Sequence, residues 1–227
     1  LAEQERELEI IMAILSNYTP DCMVRASVSC AVDALQGACP DMPAEEFAQK
    51  FAKAIRIAEI DPYRATTHNK GIFNGMDALA VATGNDYRAM EAGAHAFASK
   101  DGFYRGLSEA HIENDHFRFE MEISLAVGVV GGVTALHPLA KFAMQLLENP
   151  NAQKLMGYIA VAGLASNWSA VNALVTSGIQ KGHMKMHLSN ILSQFNITDE
   201  KKEAAKNWFR DREISYSAVQ KFLEENG

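Results

Sequence analysis

The chain has 227 residues, 48% of them apolar, enough for a sizeable core and too many for intrinsic disorder. Its 28 acidic against 21 basic residues give a formal net charge of −7, which argues against a nucleic-acid or anionic-membrane surface. Uninterrupted apolar runs, such as the one opening at Tyr158, fall short of the ~20 residues of a bilayer span, and no leader is visible, so a soluble cytoplasmic protein is expected. Cys22, Cys30 and Cys39 match no zinc or redox spacing and read as buried thiols in a reducing compartment.

In chain order, Ile14–Tyr18 before the turn residues Thr19, Pro20 and Asp21 reads as a strand ending near Asn17. Alternation of Val24, Ala26 and Val28 with Arg25, Ser27 and Ser29 predicts a strand over 23–30. Pro43, two glutamates and the apolar set Phe47, Phe51, Ile55 and Ala58 predict an amphipathic helix stopping before Asp61-Pro62. The polar stretch 61–70 reads as a loop, and 71–83 as a buried helix weakened at Asn74-Gly75. Asn85 or Asp86 caps a further helix to about Ser99. Phe117, Phe119, Met121, Ile123 and Leu125 alternate with polar residues and give the clearest strand. A glycine cluster precedes a helix over 138–148, and the small residues of 152–180 describe a central helix approached closely by others. Thr198 and Ser215 cap two short helices of an appendage over 181–227.

The glycines of Gly128–Gly132 have the wrong offsets for a dinucleotide fingerprint and predict a tight turn or close backbone approach instead. His183 and His187 stand four apart, but Met184 occupies the place of the zincin glutamate, so no metal is expected. His95, among small residues, reads as a core histidine. Lys70, between polar text and an apolar helix, is a candidate for a cation that stabilises an oxyanion. Asp86 is first of all a helix cap, though a carboxylate can also steady an ammonium. On one unbroken helix the two would be ~24 Å apart, so either the helix bends near Gly75 or they meet across separate chains.

Four segments, DPYRATTHNKGIFNG from Asp61, GNDYRAMEAGAHAFA from Gly84, VGVVGGVTALHPLA from Val127 and GIQKGHMKMHLSN from Gly178, closely resemble hydroxymethylglutaryl-coenzyme A reductase of the bacterial, class II branch. The resemblance covers about Ile11 to Asn190. It implies Lys70, Asp86 and His183 as catalytic residues, Arg64, Asn74 and Asn167 as contacting substrate or supporting the site, and Ala170 and Leu174 as lining it. Asn17 corresponds to a residue of the nicotinamide-cofactor domain.

The implied fold class is α+β. A predominantly helical large domain over 21–180, built around a long central helix with a few antiparallel strands, follows the end of a ferredoxin-like cofactor domain at 1–20 and precedes a helical flap domain over 181–227. The implied reaction interconverts hydroxymethylglutaryl-CoA and mevalonate plus CoA with two NADPH or NADH, without metal, in a homodimer or an assembly of dimers that contacts neither nucleic acid nor membrane. The catalytic glutamate, the dimerisation motif and most of the cofactor domain precede the matching region in that family, so this chain alone is expected to be inactive. The rival expectation is a non-catalytic acyl-CoA-binding module.

Overall fold

The computed structural model describes residues 9–176, 178, 187–195, 197–210, 212 and 214–225. They form two compact units, one up to Ser169 and one from Ala170. The first is built on a three-stranded antiparallel sheet, order β1-β3-β2, with β1 Met23–Ala31, β2 Ser108–Glu113 and β3 His116–Ser124. In register, Ala26 faces Met121, Val28 faces Phe119 and Ala110 faces Phe119 from the other side. The alternation read in β1 and β3 therefore places their apolar residues on one face of the sheet.

That face packs on α1, Ala44–Ile60, whose Phe47, Phe51 and Ile55 are fully buried. Phe51 meets Phe117 and Phe119 edge-on, with centroids 5.5 and 5.1 Å apart, and Trp168 lies 4.7 Å from it. The opposite face is a charged ladder in which Arg118 holds Glu120 at 2.8 Å and Arg25 approaches Glu122 at 3.6 Å. β2 had not been expected, although Ala110 and Ile112 alternate with Glu109, His111 and Glu113. Its link to β3 is the two-residue turn Asn114-Asp115, both with positive φ (49° and 60°), the conformation of a type I′ hairpin.

Several expectations fail. No strand ends near Asn17: residues 9–16 carry no regular structure, Asn17 is a bend, and Ile14 and Leu15 are exposed. The polar stretch 61–70 is not a loop but the first half of α2, Pro62–Ala82. Asp61 accepts a hydrogen bond from Tyr63 N at 3.0 Å and Pro62 takes the first-turn position, so the pair read as a stop for α1 also starts the next helix. α2 is unbroken at Asn74-Gly75, because Gly75 is there for close approach and not for a bend.

The remaining helices of this unit are α3 Tyr87–Ala98, α4 Gly132–Leu136, α5 Pro138–Leu146 and most of α6, Ala152–Val175. With 24 residues and a mean hydropathy of 1.2 in its most apolar window, α6 as a whole has the length and composition of a membrane span even though no uninterrupted run does. Its small residues nevertheless face α2. A Cβ on Gly75 would collide with the Ala162 carbonyl, and one on Gly163 would press on Ile72 and Met76. His95, expected in the core, is exposed on α3.

In the second unit a helical stretch over 187–192, α7, joins α8 Asp199–Trp208 and α9 Tyr216–Glu225. Leu188, Ile191, Leu192, Ala205, Phe209, Val219 and Phe222 form its core. Thr198 and Ser215 act as the caps their positions suggested, accepting from Lys201 N and Ala218 N.

Candidate active site

α2 presents two different faces. Ala65, His68, Asn69, Ile72, Phe73, Met76 and Ala80 are buried, whereas Lys70 and Asn74 are exposed. Lys70, Asn74 and Asp77 follow at i, i+4 and i+7, so they line one side of the helix. Arg64, one turn from the start of α2, is half-buried, and burial holds its guanidinium below the usual arginine range.

The residues on either side of Lys70 are tethered. Asn69 accepts from Leu107 N at 2.9 Å and donates to Arg105 O at 2.9 Å and to Tyr104 OH at 3.0 Å. Tyr104 OH, which receives that bond, also lies within hydrogen-bond distance of His95 Nδ1, 2.8 Å away. Ser166 Oγ on α6 donates to Gly71 O at 2.8 Å. His68, 1% exposed, lies 2.7 Å from Ser108 Oγ, and Ser108 donates to Asn167 Oδ1 at 2.8 Å. Burial first, and the Arg64 charge second, push the His68 imidazole down to about 3.

Asp86 is exposed and N-caps α3, its Oδ1 accepting from Arg88 N and Ala89 N at 3.1 Å each. The turn before it is pinned on two sides. Asn85 N donates to Ala80 O at 2.8 Å, and Asn85 Oδ1 accepts from Gly128 N at 2.8 Å. Gly84, at φ 74°, lies against the backbone of Thr134, whereas Gly131 and Gly132, at φ 72° and 51°, have open space around them, so the glycine cluster serves a turn and not a close approach. Within one chain Asp86 is held beside the far end of α2, about 15 Å along the helix axis from Lys70. No ion pair joins the two.

Asp77 and Glu91 form an acidic pair between α2 and α3. Asp77 on α2 has its carboxyl pushed up to about 6 by burial, then by the charge of Glu91 on α3 and a hydrogen bond with it, and Asp77 Oδ1 is buried without a partner. Of the other expected site residues, Asn167 is 1% exposed and turned into the His68–Ser108 contact. Ala170 is half-buried and Leu174 exposed further along α6. Asn17 has an exposed side chain, while its carbonyl sits against Gly93 of α3. His183 lies outside the described residues. Sequence reasoning missed Ser108, Tyr104 and Ser166. The alternation in β2 was the signal available for the first of them.

The described residues do not by themselves fit a dinucleotide. The cleft beside Arg25, Lys100 and Arg105 also carries Asp101, Glu109, Glu120 and Glu122, which repel phosphate, and the Gly128 amide of the glycine turn is spent on the Asn85 side chain. The ligand atoms of Glu109, His111 and Glu120 lie within 4.8 Å of one another, but Arg118 and Arg25 already compensate Glu120. An apolar groove of about 470 Å³ between β1 and α6, lined by Val28, Leu35, Val161, Leu164 and Trp168 among others, offers no ionisable side chain except the Cys30 thiol.

The sequence profile of hydroxymethylglutaryl-coenzyme A reductase matches residues 1–188. The 3-hydroxy-3-methylglutaryl-coenzyme A reductase of Archaeoglobus fulgidus is 37% identical over 218 residues, 95% of this chain and 48% of that protein. The probable enzyme of Borreliella burgdorferi is 39% identical over 170 residues, 71% of this chain and 39% of its own length. Among solved structures, a 3-hydroxy-3-methylglutaryl-coenzyme A reductase from Streptococcus pneumoniae superposes with a TM-score of 0.70 at 39% identity, covering 96% of this chain and 52% of that one. The class II enzyme of the same organism, bound to NADPH in open conformations, gives 0.69 at 46% identity over 73% of this chain and 45% of its own. The chain spans about half the length of the curated relatives it matches. It belongs to the hydroxymethylglutaryl-coenzyme A reductase family, class II type.

Proposed function

We propose that this chain carries the substrate-handling part of a cytoplasmic reductase that interconverts hydroxymethylglutaryl-CoA and mevalonate plus CoA, with NADPH or NADH as electron source. The supporting observation is Lys70: an exposed ammonium on a helix whose neighbouring residues are locked into the core. As the acyl carbonyl is reduced, negative charge grows on its oxygen, and Lys70 stabilises that oxygen. Asp86 keeps the ammonium charged, His183 gives a proton to the departing CoA thiolate, and Arg64, Asn74, Asn167, Ala170 and Leu174 bind substrate or support the site. Asn17 belongs to the end of the cofactor domain, and residues 181–227 to the flap.

Because α2 is unbroken and Asn85 is pinned to Ala80, the Lys70–Asp86 pair is proposed to form between two copies of the chain in a homodimer. The test is oxidation of NADPH by the protein in its full encoded length with hydroxymethylglutaryl-CoA. Turnover lost in Lys70→Ala supports the reading, and absence of turnover in the unaltered protein overturns it. Thioester binding by calorimetry without turnover would favour the acyl-CoA-binding module instead.

A further inference from the structure

We infer that His68, Ser108 and Asn167 form a closed ring of hydrogen bonds that positions Lys70, an inference that rests on the catalytic reading of Lys70. The ring joins α2, β2 and α6, three elements brought together from positions 40 and 99 residues apart. Its polarity is fixed by proton count. Ser108 has one hydroxyl proton and gives it to Asn167 Oδ1 at 2.8 Å, so the 2.7 Å contact must be His68 Nε2–H donating to Ser108 Oγ. His68 Nδ1 is then bare, and Asn167 Nδ2 approaches it, and His68 O as well, at 3.5 Å. Each of the three side chains thus both gives and receives.

A serine, a histidine and an amide in contact resemble nucleophilic machinery, yet these are 0, 1 and 1% exposed, so no substrate reaches them. Their consequence is positional. The ring holds residue 68, the Asn69 amide holds residue 69 to the 104–107 segment, and Ser166 holds residue 71. Only the side chain of Lys70 is left in the open. The helix therefore cannot slide or rotate under the ammonium, and a displacement of about 1 Å at a reacting group is worth a factor of about a hundred in rate. Apolar residues could fill the same volume without burying polar atoms, but they would not fix the axial register of α2 against two partners. His68, Ser108 and Asn167 are accordingly positioning residues.

The experiment combines imidazole NMR with steady-state kinetics on the protein in its encoded length. In the unaltered protein His68 should be protonated at Nε2 only and take up no second proton between about pH 7.5 and 4.5; charged neighbours on the packed elements include Arg64. Asn167→Asp replaces the donor facing Nδ1 by an acceptor, so His68 should bind a proton near neutral pH. Ser108→Ala should open the ring, speed amide exchange at Asn69–Gly71 and lower kcat by about tenfold or more with KM within about twofold. Ser108→Thr, which keeps the hydroxyl, should restore most of the rate, and a core control, Ile55→Val, should leave it unchanged. Protonation of His68 above about pH 5 in the unaltered protein overturns the ring. An opened ring with kcat and amide exchange unchanged overturns its positioning role. If the unaltered protein lacks turnover, the catalytic reading fails, and the NMR and exchange measurements still decide the ring.

Discussion

Ser166 Oγ donates to the Gly71 carbonyl at 2.8 Å, so the residue that follows Lys70 is fastened directly to α6. One turn further on, Gly75 faces the Ala162 carbonyl with no room for a Cβ. Gly75→Ala should therefore push the two helices apart. Against a gain of about 1 kcal/mol in helix propensity, overpacking on rigid backbone should leave a net loss of about 2 kcal/mol or more, measured as a lower urea midpoint at unchanged m.

The buried His68 makes stability depend on acid. Its folded-state value of about 3 lies below the ordinary 6.5, so the unfolded chain takes up a proton first as pH falls. Stability is unaffected by this group above pH 6.5 and declines by about 1.4 kcal/mol for each pH unit below it, until the folded form also titrates near 3. Urea unfolding from neutral to acid pH should show this loss superposed on that of the carboxylates. In His68→Gln the imidazole's share of the slope should vanish.

Lys70 and Asp86 should separate stability from activity. Lys70 is exposed and makes no ion pair with Asp86 within the chain, so Lys70→Ala should change folding stability by no more than about 0.5 kcal/mol. The same change should lower kcat by about 10²–10³ in the encoded-length protein. Asp86→Ala should cost about 1 kcal/mol by removing the α3 cap, whereas Asp86→Asn should keep the cap. Loss of turnover in both Asp86 variants assigns the effect to the charge.

Burial, and then the neighbouring Glu91 carboxylate, raise the Asp77 carboxyl to about 6 in the folded chain. A carboxyl raised to about 6 is favourable when protonated, so its contribution is present below the ordinary 3.8 and is lost as pH rises through 6. Asp77→Asn should consequently raise the melting temperature at pH values above 6 relative to the unaltered protein, and the advantage should shrink in acid. An unchanged or lower melting temperature in alkaline buffer would show that the pair is not strained.

Local text was enough for β1 and β3, for α1, α3 and α5, and for the caps Asp86, Thr198 and Ser215, because side-chain period and capping chemistry are written within one element. The first half of α2 was misread for a related reason: Asp61-Pro62 ends one helix and opens the next, and polar residues such as Thr66 and His68 do not announce which of them will be buried. Nor did exposure follow from composition. His95 sits among small residues yet faces outward, where Tyr104 supplies its hydrogen bond.

By itself, then, the sequence determined the family, through four long motifs in order, and singled out Lys70 and Asp86 as candidate site residues. Only the tertiary structure decided that α2 is unbroken, that Asn85 is pinned to Ala80 far along the helix from Lys70, and that His68 meets Ser108 and Asn167. The physical reason is range. Caps and periodicities act between residues a few positions apart, whereas a buried hydrogen bond between residues 40 apart exists only after packing has removed water from both partners.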